Sequence, residues 1–150
     1  MHKLIIIRGH SGSGKTTFAL KKIAEFKRQY PVGHVFHIEN DHYLIENDKY
    51  IWTEQRFRQA RLQAQRTIYR AFRFCRKHNA PDCLIVISNV GVNKQEIQCF
   101  VHQAEKQNMQ VEIYRLRHFY PNTHHVPEDT VMSMYRHLCA NPIEGEIIID

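Results

Sequence analysis

The feature of the sequence that most restricts its fold is a glycine-rich segment near the start, residues 9–16, which reads GHSGSGKT. This segment matches every fixed position of the pattern G-x-x-x-x-G-K-[ST]. A short and almost wholly apolar run precedes it at residues 3–8, and residues 15–28 have the spacing of an amphipathic helix. Such an apolar run is typical of a strand that is buried on both faces. We therefore predict a strand, a turn and a helix in direct succession.

The predicted turn has the chemistry of a phosphate-binding loop. Its glycines allow successive backbone N–H groups to point at phosphate oxygens, and the following helix adds the positive end of its dipole. In such loops the lysine, here Lys15, contacts the β- and γ-phosphates, and the hydroxyl of the next residue, Thr16, binds Mg²⁺. No guanine-recognition motif of the NKxD type is present, which favours ATP over GTP. The residues predicted to bind ATP are Gly9, His10, Ser11, Gly12, Ser13, Gly14, Lys15, Thr16 and Thr17.

The rest of the chain alternates between strand-like and helix-like segments. This alternation predicts one α/β domain over residues 1–150, with a parallel sheet of about five strands and helices on both faces. Ligands of such sheets bind at the carboxyl ends of the strands. Further strands are predicted at residues 34–39, 84–88, 111–116 and 146–149, further helices at residues 53–78, 93–107 and 128–139, and a polar loop at residues 40–50.

Length and composition place the chain among ordinary globular proteins. A length of 150 residues is enough for one domain with its own core, and 43% of the residues are hydrophobic. The four cysteines lack a C-x-x-C spacing, which favours reduced thiols and a cytoplasmic location. No apolar run approaches the ~18 residues of a membrane helix, so no membrane partner is expected. His124 and His125 have no third ligand at a spacing that suits zinc, and nothing in the sequence indicates the oligomeric state.

The net charge of +6 arises from one segment of the chain. Residues 49–78 contain nine Lys and Arg side chains against one acid, a net charge of +8. Residues 1–48 carry a net charge of +2, and residues 79–150 carry −4. A basic excess that is concentrated in this way indicates an anionic partner such as a nucleotide or a nucleic acid.

The basic segment coincides with the longest predicted helix. Arg66, Arg70, Arg73 and Lys77 share one stripe of this helix. The stripe is either a solvated face or a surface that follows the phosphates of a polynucleotide. Arg61 lies at the border of the apolar face, where it either faces the cleft or packs its stem on the surface. The apolar positions, predicted to be core, are Phe57, Ala60, Ala64, Ile68, Ala71 and Cys75.

One carboxylate is placed near the predicted phosphate-binding loop. Asp41 follows the second predicted strand, so it lies at the carboxyl edge of the sheet. A carboxylate there can accept the proton of an attacking hydroxyl as a general base. On position alone, a solvated aspartate in a turn is an equally good interpretation.

Taken in order, several stretches of the chain resemble the P-loop kinase domain of phage-type polynucleotide 5′-kinases and their small single-domain relatives. They are residues 5–19, ENDHY at 39–43, YIWT at 50–53, IVISNVGVNKQE at 85–96, and Val126-Pro127 followed by Met134-Tyr135. This resemblance covers nearly the whole chain. It implies a P-loop kinase-like fold, ATP and Mg²⁺ as cofactors, a 5′-hydroxyl acceptor, and Asp41 as the catalytic base. It is also compatible with a virus-encoded protein in a host cytoplasm.

The chain departs from the family pattern at the end of the third predicted strand. The family carries a carboxylate at one of two positions there, whereas this chain has the neutral residues Ser88 and Asn89. Binding of Mg²⁺ would therefore depend more on Thr16, Asp41, water and the phosphates. Leu44 stands where the resembled kinase has an arginine that helps to hold the substrate.

A second departure concerns the arginines of the lid. The family carries them before the Val-Pro pair, but residues 120–125 contain none. If an arginine contacts the transferred phosphoryl group, Arg115 or Arg117 would have to supply it from upstream. The residues predicted to bind the acceptor are Arg61, Asn89, Arg66 and Arg70.

The combined prediction is a kinase that transfers the γ-phosphate of ATP to the 5′-hydroxyl of a polynucleotide. Two alternatives stay open. The presence of Leu44, where the resembled kinase has an arginine, favours a kinase for a small nucleoside, nucleotide or modified base. The neutral pair Ser88 and Asn89 favours a nucleotide-dependent binding module with little turnover.

Overall fold

The apolar run near the start of the chain forms β1 (His2–Gly9), the central strand of a five-stranded parallel sheet with the order β2-β5-β1-β6-β7. The computed structural model describes residues 1–39, 45–46, 49–50, 53–77, 80–91, 93–121 and 126–150. The further elements are α1 (Lys15–Gln29), β2 (His34–Ile38), β3 (Ile45–Glu46), β4 (Lys49–Tyr50), α2 (Glu54–Lys77), β5 (Cys83–Asn89), α3 (Lys94–Lys106), β6 (Gln110–Leu116), α4 (Glu128–Ala140) and β7 (Ile147–Ile149).

The two faces of the sheet are covered by different helices. Successive side chains of a strand point to opposite faces, and β1 shows this directly. Leu4 and Ile6 belong to a core cluster shared with α2 and α3, whereas Ile5 and Ile7 belong to a second cluster shared with α1. The predicted α/β fold, with a five-stranded parallel sheet and helices on both faces, is therefore confirmed.

The segment between β2 and α2 is less simple than predicted. The sequence predicts a polar loop at residues 40–50, but β3 and β4 pair there as a small antiparallel hairpin, with Ile45 opposite Tyr50. Each of these strands has two residues, which is too short to show the alternation by which a strand is recognised in a sequence.

Helix α2 buries the side predicted to be core. Ala60, Ala64, Ile68, Ala71 and Cys75 are all buried. The prediction for Phe57 was wrong, because its side chain is 40% exposed. Ala60 is the first buried residue of α2, so the first turn, which carries Phe57, extends beyond the part of the helix that packs on the sheet.

Helix α2 also has a defined direction relative to the sheet. Its first half reaches α3 through an ion pair between Arg61 and Glu96, the latter in the turn of α3 that follows the carboxyl end of β5. Near its last turn, Phe74 contacts His34 and Phe36 at the start of β2. The helix therefore begins at the carboxyl edge of the sheet and ends at the amino edge. In the described ranges, no helix combines the length and the apolar composition that a membrane span requires.

Candidate nucleotide-binding site

The glycine-rich segment forms the loop between β1 and α1. Gly12 and Gly14 have φ angles of 83° and 88°, a left-handed conformation that glycine adopts without steric cost. Gly14 is the N-cap residue of α1, so the loop leads directly into the amino end of the helix. The ammonium group of Lys15 donates hydrogen bonds to the carbonyl oxygens of Gly9 at 2.8 Å and His10 at 3.0 Å. The loop thus has the form expected of a phosphate-binding loop.

A pocket of about 620 Å³ opens over this loop, on the side of the sheet covered by α1. Seven of the nine residues predicted to bind ATP line it, namely residues 11–17. The carboxyl ends of β2 and β5 contribute Glu39 and Ser88, and the far wall includes His118 and Tyr120. The volume lies within the range of about 300–1,000 Å³ that is usual for small-molecule sites.

Gly9 and His10, the other two residues predicted to bind ATP, do not line the pocket. Gly9 is the last residue of β1. The ring of His10 is fully buried, stacks on Phe119 with a centroid distance of 4.1 Å, and meets the edge of Tyr135. Burial, together with the positive charge of Lys15, lowers the pKa of His10. Its side chain therefore joins the glycine-rich loop to Phe119 and to Tyr135 of α4.

The loop after β6 packs on the glycine-rich loop, a contact that sequence reasoning missed. The backbone N–H of Tyr120 donates a hydrogen bond to the carbonyl oxygen of Gly12 at 2.7 Å. A Cβ atom at Gly14 would lie 2.9 Å from Cε2 of the Tyr120 ring, so the ring lies directly against this glycine. His118 and Tyr120 are in ring contact, with centroids 4.1 Å apart. The aromatic run at 118–120 was the available signal in the sequence.

Glu39 is a second pocket residue that sequence reasoning missed. It follows β2, its side chain is 5% exposed, and Nε2 of His37 lies 3.1 Å from its Oε1. The sequence signal was a carboxylate at the last position of the strand predicted at residues 34–39.

The structure does not bring Arg115 to the pocket. In β6, Tyr114 and Leu116 pack on the α1 side, so Arg115 points to the opposite face, where Ile113 joins the core beneath α2 and α3. Its Nε donates a hydrogen bond to Glu146 at 2.8 Å. The prediction that Arg115 contacts a transferred phosphoryl group does not fit this position, because a buried guanidinium needs the carboxylate with which it is paired.

Arg117 lies nearer to the pocket. It forms an ion pair with Asp150, and this hydrogen bond raises the pKa of Arg117. Asp150 itself lines the pocket. Of the two arginines considered for the phosphoryl group, Arg117 is therefore the one whose position is compatible with that role.

The residues predicted to bind the acceptor lie outside the pocket. Arg61 pairs with Glu96 at 2.9 Å and joins α2 to α3. Asn89 ends β5, and Arg66 and Arg70 are exposed on α2. Asp41, the predicted catalytic base, lies outside the described residues, as do Leu44, His124 and His125.

The residues of the pocket suit Mg²⁺ when it accompanies a nucleotide. This ion usually keeps several waters and binds one or two carboxylates together with substrate phosphates. Thr16 is exposed at the start of α1, and both Thr16 and Glu39 line the pocket. Within the part of the chain that the structure describes, no cluster of three or more His, Cys, Asp or Glu side chains forms a metal site by itself.

Similar solved structures define the class of this fold. Kti12 of Chaetomium thermophilum, in complex with ADP-AlF3, has a TM-score of 0.59 at 11% identity, covering 97% of this chain and 88% of that chain. The AvrRxo1-ORF1:-ORF2 complex with ATP has a TM-score of 0.62 at 19% identity, covering 94% of this chain and 48% of that chain. The protein has a P-loop kinase-like fold.

A comparison of sequences shows the family to which this chain belongs. Uncharacterized protein PM0531 of Pasteurella multocida (strain Pm70) is 49% identical over 149 residues, which cover 99% of this chain and 83% of that protein. The chain belongs to the same family as PM0531. No family model matches it.

Proposed function

We propose that this protein is an ATP-dependent kinase that transfers the γ-phosphate to the 5′-hydroxyl of a polynucleotide. The observation that carries the proposal is the pocket at the carboxyl edge of the sheet, where the glycine-rich loop, Lys15 and Thr16 lie together at the start of α1. The backbone N–H groups of a glycine-rich loop and the amino end of a helix are suited to anionic phosphates.

Each residue has a defined part in this proposal. Lys15 neutralises charge on the β- and γ-phosphates, and Thr16 is the hydroxyl ligand of Mg²⁺, which supplies electrostatic stabilisation of the phosphates. Asp41 accepts the proton of the attacking hydroxyl, a role suggested by the resemblance and by its place after β2. Arg117, at the rim beside Asp150, is the candidate for offsetting charge on the transferred group.

The direction of α2 supports a polymeric acceptor. The helix has 24 residues, or about 36 Å at 1.5 Å per residue, and it begins at the carboxyl edge where the pocket lies, on the face of the sheet opposite to α1. Arg66, Arg70, Arg73 and Lys77 are exposed along it, and in the described ranges none of them forms an ion pair. Unpaired cations in a row are suited to successive phosphates.

An aromatic side chain lies among these cations. The ring of Tyr69 contacts Phe72 and Phe100, but the residue is still 48% exposed, and exposed rings among basic residues can stack on bases. Phe72 is 2% exposed and Phe74 packs on the core, so neither is available for stacking. The basic stripe and Tyr69 together form the surface that we propose for the polynucleotide.

The activity is tested with radiolabelled ATP and a panel of 5′-hydroxyl DNA, 5′-hydroxyl RNA and nucleosides. We expect label in a polynucleotide and its loss in Asp41→Asn. Label in nucleosides alone would indicate the small-acceptor kinase. Bound ATP without any transfer would indicate a binding module, and transfer by Asp41→Asn at the normal rate would contradict the assignment of the base.

The polynucleotide surface is tested by Arg66→Glu/Arg70→Glu. Loss of two phosphate contacts to a single strand should flatten the slope of log K against log salt by about 1.4. Lys27→Glu/Arg28→Glu is the matched control, since it changes the net charge equally at the exposed end of α1. Equal effects of the two double variants would show that only the total charge matters.

A further inference from the structure

The strand register places a carboxylate beside the end of β5, where this chain has no acidic residue of its own. In the parallel pair of β2 and β5, Ile38 lies opposite Ile87. One further step in this register places Glu39 beside Ser88, on strands about 4.8 Å apart. Ile38 and Ile87 both point into the core beneath α2 and α3, so the next residues point to the other face, towards α1.

Both side chains face the pocket, and both are buried. Glu39 is 7% exposed, Ser88 is 2% exposed, and both line the pocket together with Lys15 and Thr16. Among the described residues, none forms a hydrogen bond with the Oγ atom of Ser88. A buried hydroxyl without a partner is unfavourable, so this atom is suited to a ligand or a water of the pocket.

The Glu39 carboxylate lies beside His37 of β2. Nε2 of His37 lies 3.1 Å from its Oε1. Glu39 lines the pocket together with Thr16, the second residue of α1. A carboxylate and two hydroxyls are hard oxygen donors, the type that Mg²⁺ prefers.

We propose that Glu39 and Ser88 hold the hydrated Mg²⁺ of the bound nucleotide, and that Glu39 thereby replaces the carboxylate that the end of β5 lacks. In this site the acidic residue directly follows β2, and the hydroxyl of Ser88 lies on β5. This inference rests on nucleotide binding in the proposed function, and it does not depend on the identity of the acceptor.

The test compares ATP affinity with Mg²⁺ and with EDTA by calorimetry, and Mn²⁺ binding to the ATP complex by electron paramagnetic resonance. In Glu39→Gln we expect the metal-dependent gain in ATP affinity to fall by about 10–100-fold, the usual effect of losing a residue that orients a metal's ligands. Affinity for ATP in EDTA should stay within about twofold of that of the original chain, since Lys15 and the loop are unchanged. Glu25→Gln, on the exposed face of α1, is the matched loss of charge and should change neither affinity.

A double variant that moves the carboxylate from position 39 to position 88 tests whether the two positions reach the same metal. Glu39→Gln/Ser88→Asp should recover most of the metal-dependent gain, because the acid then stands on the neighbouring strand of the same face. If Glu39→Gln does not fold, Ser88→Ala provides the measurement and should also reduce the gain. A full metal-dependent gain in Glu39→Gln or in Ser88→Ala would overturn the site while leaving the kinase proposal intact. Failure of the original chain to bind ATP both with Mg²⁺ and with EDTA would overturn the site and the kinase proposal.

Discussion

Replacing Glu146 by glutamine should destabilise the fold severely, because this carboxylate serves two buried cations. Its Oε2 accepts a hydrogen bond from Nη1 of Arg8 at 2.6 Å, and its Oε1 accepts one from Nε of Arg115 at 2.8 Å. Arg8 also donates to the carbonyl oxygens of Gly91 and Asn141, both at 2.8 Å. The end of β1, immediately before the phosphate-binding loop, is thereby joined to the segment that precedes β7.

The magnitude follows from the burial of these groups. The side chains of Arg8 and Arg115 are 0% and 8% exposed, and that of Glu146 is 5% exposed. Burial lowers the pKa of Arg8, and the hydrogen bond with Glu146 opposes that shift. Breaking a buried pair by removing one partner costs about 3–5 kcal/mol. At roughly 2–4 °C per kcal/mol for a chain of this length, the melting temperature should fall by about 6–20 °C.

The assay is urea unfolding of Glu146→Gln beside Glu144→Gln, an exposed neighbour that carries the same change. The control should stay within about 0.5 kcal/mol of the original chain. A loss below about 1 kcal/mol in Glu146→Gln would refute the reasoning, since it would mean that water or another group already compensates the two arginines.

Three further predictions concern Gly14, His10 and the cysteines. Gly14→Ala should cost roughly 1–2 kcal/mol through its left-handed backbone alone, should press a methyl group against Tyr120, and should weaken ATP binding measured by calorimetry. Because burial lowers the pKa of His10 below 6.5, the unfolded chain takes up this proton first. Its stabilising contribution is therefore complete above pH 6.5 and is lost as the pH falls, so His10→Asn should flatten the pH dependence of unfolding below 6.5. In a thiol-reagent assay at pH 8, exposed Cys99 should react rapidly, whereas Cys75 should not, since burial raises the pKa of Cys75 to about 12.

Each of the three predictions would be contradicted by one specific result. Full ATP affinity in Gly14→Ala would show that the Tyr120 ring moves away from the added methyl group without a change in the loop. An unchanged pH profile in His10→Asn would mean that His10 titrates alike in the folded and unfolded chain. Modification of Cys75 as fast as that of Cys99 would show that the core around α2 opens readily.

The sequence predicted those parts of the structure that depend on local periodicity. The apolar run of β1 and the period of α2 were sufficient to place both elements and the loop between β1 and α1. What it did not predict depends on contacts between distant residues. Arg115 pairs with a carboxylate 31 residues later, and the neighbourhood of Glu39 and Ser88 exists only through the register of β2 and β5. Phe57 was misplaced because periodicity does not show how far a helix extends beyond its sheet.

The most direct test of the central proposal is the transfer of radiolabelled γ-phosphate from ATP to one synthetic oligonucleotide in two forms, with a 5′-hydroxyl and with a 5′-phosphate. We predict label at the 5′ end of the hydroxyl form only, and none with Lys15→Ala, whose ammonium group is required at the β- and γ-phosphates. Absence of label from the hydroxyl form, under conditions in which the protein binds ATP, would contradict the proposal.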